Sequence, residues 1–174
     1  MHILNAAQKY QIDSLKTLCI DFLEKLLDAN NVCTILEHRR FFNETQLAEK
    51  CLQLIEQNTK DVFTSSGFMS VSAETISLIL DSDKLSMKEV DICLKCFQWA
   101  TKRCENKHSV REELGDILFQ IRFPTMTSSD FADKVCPTDV FTKDEQLEIL
   151  RYISSEKKDK KPDGFNCNSR NSGK

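Results

Sequence analysis

Apolar residues recur at helical spacing along most of the chain. The clearest stripe lies in the first 27 residues and consists of Leu15, Leu18, Cys19, Phe22, Leu23 and Leu26. Its i, i+3, i+4, i+7 spacing is typical of an amphipathic helix that buries one face. The pattern therefore predicts a helix here with this stripe in the core, preceded by another helix over residues 1–10.

Capping residues mark where the later helices are expected to begin, because their side chains accept hydrogen bonds from the first free amides of a helix. The expected caps are Asn30 or Asn31, Asn43 with Gln46, Ser72, Ser86 with Glu89, Ser128 or Ser129, and Thr142 with Glu145. After the first of these, a helix is expected from Val32 to Arg40. The helix after Ser128 or Ser129 is expected to run through Val135.

Helix breakers are scarce, which sharpens the fold prediction. Neither glycine nor proline occurs between Met1 and Ser66, and the first proline is Pro124. Proline cannot donate a backbone hydrogen bond, so Pro124 should end the helix before it. Strand-like alternation is nearly absent. We predict an all-α fold in which antiparallel helix pairs form a helical bundle or solenoid.

Charge divides the chain into two parts. The net charge is -3 overall; residues 1–153 carry 18 basic and 24 acidic residues, whereas residues 154–174 carry 6 and 3. The acidic body lacks the clustered basic face of a nucleic-acid-binding protein, and no apolar run approaches the ~18 residues of a membrane span. The polar residues 154–174 predict a disordered tail.

The eight cysteines are the main candidates for chemistry. Cys93 and Cys96 form a Cys-x-x-Cys motif, and Cys104 with His108 would complete a set of four zinc ligands. Redox motifs begin a helix after a strand and structural zinc pairs lie on turns, but this motif falls inside a predicted helix. Buried, reduced, structural cysteines are the preferred interpretation, with a zinc or redox protein as the alternative.

No enzyme motif accompanies the three histidines, and the four glycines are scattered and form no Gly-rich phosphate-binding loop. We therefore expect a non-enzymatic protein without a cofactor.

Several segments together resemble a known family. Residues 5–23 resemble the last two helices of a BTB domain, and residues 28–42 resemble the 3-box, the helix pair that opens a BACK domain. Leu85 to Ala100, which ends in Trp-Ala, and Ile121-Arg-Phe-Pro-Thr-Met126 resemble later BACK helices. The order and spacing of these segments resemble BTB-BACK ubiquitin-ligase adaptors, most closely those that carry a PHR domain.

The resemblance implies three regions. Residues 1–27 would be the C-terminal helices of a truncated BTB domain, and residues 28–153 a BACK domain with its 3-box at 28–60. Residues 154–174 would be the tail. Since the earlier BTB elements and a PHR domain are absent, the chain is expected to be the middle segment of an adaptor and a monomer.

The implied function is to position a substrate protein relative to the cullin of a cullin-3 RING ubiquitin ligase. The candidate cullin contacts are Tyr10, Val32, Ile35, Phe41 and Phe42. Binding to cullin-3 should be weak without a complete BTB domain, and the substrate is unknown. The alternative is a helical scaffold that binds a cytoskeletal or nuclear partner without a ligase. A cytoplasmic location is expected, with the nucleus as a second location.

Overall fold

Helices make up most of the described part of the chain. A computed structural model describes residues 2–38, 45–104, 109–155 and 160–170, and these contain no β-strand. The α-helices are α1 His2–Lys9, α2 Asp13–Lys25, α3 Val32–Glu37, α4 Thr45–Gln57, α5 Thr59–Thr64, α6 Ala73–Leu80, α7 Glu89–Arg103, α8 Val110–Leu114, α9 Ile117–Gln120, α10 Ser128–Asp130 and α11 Lys143–Ser154. The all-α prediction is confirmed.

Short 3₁₀ and π-helical turns lie between these helices or at their ends. Three 3₁₀ turns lie at Phe68–Ser70, Phe123–Thr125 and Cys136–Thr138, and a π-helical turn at Phe131–Val135 extends α10. The predicted helix through Val135 is thus confirmed, although its beginning differs. Thr127 caps it, because its hydroxyl accepts from the Asp130 amide at 3.1 Å.

The first of two units ends at Ile79. In it, α1 packs on α2, and α3 packs on α4. The turn that leads into α3 is held by two side chains: the Asp28 carboxylate accepts from the Asn30 and Asn31 amides at 2.9 and 2.8 Å. In return, the Asn31 side chain accepts from the Asp28 amide and donates to the Leu26 carbonyl. Asn31 therefore shapes the turn. The prediction that Asn31 caps the amides of α3 is wrong, because its side chain makes no cap hydrogen bond.

A second turn of the first unit packs against that one. The rings of Phe63 and Phe68 stack with centroids 4.3 Å apart. Between them the Ser65 hydroxyl donates to the Val62 carbonyl at 2.7 Å and accepts from the Phe68 amide at 3.2 Å. Gly67 lies so close to the Asn30 carbonyl that a Cβ atom would come within 2.3 Å of its oxygen. Glycine is therefore required at this position for space.

The second unit begins at Leu80. Its long helix α7 packs against α8 and buries Trp99, Cys93 and Cys96 completely. The predicted capping box at Thr142 and Glu145 is confirmed, and Glu145 also accepts two hydrogen bonds from the Arg111 guanidinium at 2.9 and 2.7 Å. One side chain thus both begins α11 and ties it to α8.

Of three further predicted helix starts, one is wrong, one lies outside the described residues and one is confirmed. The helix α7 begins at Glu89 with Lys88 at its cap position, so the predicted helix start at Ser86 is wrong. Glu89 instead pairs with Arg170 and accepts a hydrogen bond from the Arg122 amide. The expected cap at Asn43 lies outside the described residues. The Ser72 cap is confirmed, since its hydroxyl accepts from the Thr75 amide at 3.4 Å.

The predicted burial of the α2 stripe is also wrong. Ile20 is the residue of this helix that is buried, whereas Leu18, Phe22 and Leu26 are exposed. Residues four apart share one helix face, and Ile20 lies on the opposite side from Leu18 and Phe22. The helix therefore exposes Leu18, Phe22 and Leu26, while the other stripe residues, Leu15, Cys19 and Leu23, are half-buried.

Candidate functional site

The most exposed apolar surface of the first unit lies on α1 and α2. We name it the α1–α2 apolar surface, and it comprises Ile3, Tyr10, Ile12, Leu18, Phe22 and Leu26. Leu18 is 66% exposed and Phe22 62%. Single exposed apolar residues are common, but a contiguous stripe at i, i+4 and i+8 is the kind of surface that protein partners cover.

Tyr10 lies at the turn between α1 and α2. The turn is tight: Gln11 adopts a left-handed conformation with φ of 55°, and the Ile12 amide returns to the Ala7 carbonyl at 2.9 Å. The Tyr10 ring is 68% exposed, with the Lys9 ammonium 5.6 Å from its centroid. An exposed phenol provides both an apolar ring and a hydroxyl to a partner.

The other candidate cullin contacts are less accessible or not described. Val32 is fully buried and Ile35 nearly so, because both lie on the inner side of α3. Neither side chain is therefore available to a partner at the surface. Phe41 and Phe42 lie outside the described residues. Tyr10 is thus the candidate that the structure places directly at the surface.

A buried polar contact fixes the other end of α3. The Glu37 carboxylate accepts from the Ser72 amide at 3.1 Å and from the Ser72 hydroxyl at 3.0 Å. Burial by itself raises the pKa of Glu37, but hydrogen bonds from Thr75 and Ser72 outweigh it, so the pKa is lowered overall. The charged form of Glu37 therefore stabilises the junction between α3 and α6.

In the second unit, residues 160–170 lie in a groove. We name this segment the strap and the surface beneath it the strap groove. The Arg170 side chain is 4% exposed and pairs with Glu89, which is 8% exposed, with Nε and the carboxylate 2.9 Å apart. The same guanidinium donates to the carbonyls of Leu80, at 2.7 Å, and Ser82. Leu80 is the last residue of α6 and Ser82 lies two positions beyond it, where free acceptors and the helix dipole favour a cation.

An aromatic cluster holds the middle of the strap. Phe165 is buried, with its ring centroid 5.4 Å from that of Phe119, 6.0 Å from Phe123 and 5.8 Å from Phe141. Phe123 meets Phe141 edge to face at 4.9 Å. Aromatic pairs at such distances stabilise beyond the area that they bury. The prediction of a disordered tail is therefore wrong for residues 160–170.

Arg122 connects the groove to the strap. Its backbone amide donates to Glu89 at 2.9 Å, and its buried guanidinium donates to Asp83 and, at 3.2 Å, to the Asn168 carbonyl. The neighbouring residues of the Ile121-Arg-Phe-Pro segment thus have separate roles. Arg122 contacts the strap backbone, and Phe123 provides the centre of the aromatic cluster.

Four of the cysteines, Cys33, Cys51, Cys93 and Cys96, are buried, and burial suppresses their reactivity. Burial, followed by the charges of neighbouring groups, raises the pKa of Cys33 and of Cys51 to about 12. Burial likewise raises the pKa of Cys93 and Cys96. A thiol with a raised pKa is a weak nucleophile and metal ligand at neutral pH.

No metal centre or membrane span emerges from the described residues. They contain no group of three or more His, Cys, Asp or Glu residues that could hold a metal ion. His108, the fourth member of the zinc alternative, lies outside them. Within the same ranges, each helix is too short or too polar to cross a bilayer.

Comparison with known proteins assigns the family. The family described as "BTB And C-terminal Kelch", BACK, matches residues 32–136. The chain belongs to the BACK family. This match includes α3, the whole of α7 and the Ile121-Arg-Phe-Pro segment, and it confirms the resemblance to BTB-BACK proteins.

Curated relatives support the same assignment. The chain is similar to mouse BTB/POZ domain-containing protein 6, with 31% identity over 161 residues that cover 89% of the chain and 30% of the mouse protein. It is 31% identical to zebrafish BTB/POZ domain-containing protein 6-A over 96% of the chain and 32% of that protein. Human BTB/POZ domain-containing protein 3 is also 31% identical, over 89% of the chain and 31% of that protein. The chain therefore spans about a third of the length of these relatives.

Sequence reasoning missed the strap groove. Its residues are ordinary in type, and Glu89 had been assigned to a helix cap. One signal was available: Phe165 is the only large apolar residue, and Arg170 the only arginine, between residues 160 and 170. A single aromatic residue in a polar segment indicates an anchor.

Proposed function

We propose that this BACK protein is a non-enzymatic interaction module and the middle segment of a substrate adaptor for a cullin-3 RING ubiquitin ligase. Its role is geometric, since it holds a substrate-binding region at a set position relative to the cullin. The family match and relatives named BTB/POZ proteins support the coarser role of a protein-interaction adaptor. The assignment to a cullin-3 ligase rests on the resemblance of the sequence to BTB-BACK ubiquitin-ligase adaptors.

The observation that carries the proposal is the α1–α2 apolar surface. Leu18 and Phe22 expose apolar side chains at i and i+4, and Tyr10 presents its ring at the preceding turn. Aromatic residues are enriched at protein interfaces and often contribute most of the binding energy. A protein partner that covers this surface removes apolar area from water.

The chain alone should bind cullin-3 weakly. Interfaces much below ~1,000 Å² are usually weak or transient, and the α1–α2 apolar surface offers a few side chains. A complete BTB domain would add contact area, and its dimerisation would raise the effective concentration of paired sites.

Calorimetric titration of cullin-3 tests the proposal. The chain alone, the chain joined to a complete BTB domain, and that BTB domain alone are compared. The joined protein should bind at least tenfold more tightly than the other two, corresponding to about 1.4 kcal/mol. Equal binding by the joined protein and the BTB domain alone would refute a role for this chain.

Tyr10 permits a sharper arm of the same experiment. In the joined protein, Tyr10→Ala should weaken binding about tenfold or more, as truncation of an interface aromatic does. Tyr10→Phe separates the ring from the hydroxyl, and Leu147→Ala, an exposed apolar residue of α11, is the matched control. Unchanged binding on Tyr10→Ala would place the contact elsewhere. Replacing Phe41 and Phe42 with Ala tests the remaining candidates.

The alternative function shares the same surface. A helical scaffold for a cytoskeletal or nuclear partner would also need exposed apolar residues on α1 and α2. It predicts that the joined protein gains nothing toward cullin-3. The cytoplasm is the proposed location, with the nucleus second, and fluorescence imaging of the tagged chain tests this.

A further inference from the structure

The strap groove has the features of a recognition site for an extended peptide. The strap contains no helix or strand, and its buried side chains are Pro162, Phe165 and Arg170, of which the last two are five positions apart. Asn168 and Ser169 between them are exposed. Anchors in pockets separated by exposed residues are the usual way in which proteins bind extended segments.

The acceptor side of the groove is organised by contacts that do not involve the strap. The Arg122 amide holds one oxygen of Glu89 at 2.9 Å, and the Leu80 and Ser82 carbonyls lie at the end of α6. One carboxylate and two carbonyls thus converge on a single point. Their geometry matches the planar, multiply donating guanidinium better than the single ammonium of lysine.

The apolar side of the groove is equally specific. Phe119, Phe123 and Phe141 surround one ring position, which Phe165 fills. The Arg122 guanidinium then donates to the backbone carbonyl of Asn168, between the two anchors. A backbone contact of this kind fixes the path of a ligand without selecting the side chain there.

We propose that the strap groove is a peptide-binding site for an extended segment of a partner protein in which phenylalanine is followed five residues later by arginine. The strap carries the same pattern and occupies the site in cis, so it competes with the partner. This proposal does not depend on cullin-3. The ligand of the second unit is then a peptide segment, separate from any cullin contact of the first unit.

The competition has a defined physical basis. A segment of the same chain is present at an effective concentration that reaches the millimolar range for short linkers. A partner segment therefore binds with an apparent affinity reduced by the fraction of molecules whose groove is free. Weakening the strap should increase binding in trans without changing the groove itself.

Fluorescence anisotropy of a labelled synthetic peptide tests the proposal. The peptide has the sequence of residues 160–170 and is titrated with the full chain and with a strap-release variant, Phe165→Ala with Arg170→Ala. The release variant should bind it at least tenfold more tightly than the unaltered chain. Adding Glu89→Gln to the release variant should reverse this gain. Equal affinity for all three proteins, or no binding to any, would overturn the proposal.

Peptide variants test the pattern itself. Peptides with Phe165→Ala or Arg170→Lys should lose at least tenfold in affinity for the release variant. A peptide with Lys161→Ala is the matched control, because Lys161 is exposed. Loss of affinity in the control peptide alone would indicate charge attraction, and the proposed recognition would be wrong.

A second measurement uses the unaltered chain, in case the variant does not fold. Cys167 is half-buried in the strap, so its labelling rate, followed by mass spectrometry, reports strap release. Excess peptide with Cys167→Ser should raise that rate at least threefold, while labelling of Cys136 stays constant. An unchanged Cys167 rate at saturating peptide would refute competition. Concentration-dependent dimers on size-exclusion chromatography would show that a second copy supplies the strap, which also refutes occupancy in cis.

Discussion

The substitution Gly67→Ala sets two physical effects against each other. Gly67 has φ of -61° and ψ of -48°, a helical conformation that alanine adopts readily. On backbone grounds alone, alanine should stabilise the fold by about 0.4–1 kcal/mol, because it reduces the freedom of the unfolded chain. If only the backbone conformation mattered, the free energy of unfolding would therefore increase.

The packing argues the other way and is the larger effect. The added Cβ would lie 2.3 Å from the Asn30 carbonyl oxygen, well inside the 3.0 Å below which real contacts essentially never fall. That oxygen belongs to the backbone of a turn held by Asp28 and Asn31, so it cannot rotate away. Overpacking typically costs about 1–3 kcal/mol. The rigid turn argues for the upper part of that range, leaving a net loss of about 1–2.5 kcal/mol.

Thermal and urea unfolding measure this difference. For a chain of this size the loss corresponds to a fall in Tm of about 2–10 °C, with the urea m-value unchanged if the native state stays compact. Ser66→Ala, at the exposed neighbouring position, is the control and should leave Tm unchanged. A Tm equal to or above that of the unaltered chain would refute the close approach of the two turns.

Three further outcomes follow from exposure and protonation. The double substitution Leu18→Ser with Phe22→Ser should reduce binding of a hydrophobic dye and leave Tm nearly unchanged. The control Leu147→Ser should reduce dye binding far less, and an equal reduction would contradict a contiguous apolar surface. The pKa of Glu37 is lower in the folded state, so its stabilising contribution is fully present above the unfolded pKa and is lost as pH falls through the folded pKa. Glu37→Gln should therefore reduce the loss of stability on acidification, and an unchanged pH dependence of the free energy of unfolding would contradict the assignment. Because Cys33 is completely buried, and burial raises its pKa to about 12, its labelling at pH 8 should require unfolding, and rapid labelling of the native chain would contradict its burial.

Helix placement could be read from the sequence because it depends on local chemistry. Ser72 and Thr142 cap helices through contacts three residues away, and such short-range signals survive without knowledge of the fold. The Ser109 and Glu112 capping box carries the same signal and was missed. The pattern of apolar residues likewise identified α2 as a helix.

Which face of a helix is buried depends on the neighbours, and there the sequence was a poorer guide. The stripe with Leu18 and Phe22 is more apolar than the side with Ile20, yet α2 buries Ile20. Glu89 fitted a capping box locally but pairs with Arg170, 81 positions away. No local pattern encodes a contact at that distance.

That separation has a consequence for the order in which the molecule is made. The residues that form the strap groove all leave the ribosome before the strap does. At synthesis rates of ~5–20 residues per second, Glu89 precedes Arg170 by roughly 4–16 s. During that interval the Glu89 carboxylate has the Arg122 amide as an internal donor once residue 122 has emerged. The Glu89 carboxylate is thus in place first, and the arginine that pairs with it emerges only after all the residues that form the groove.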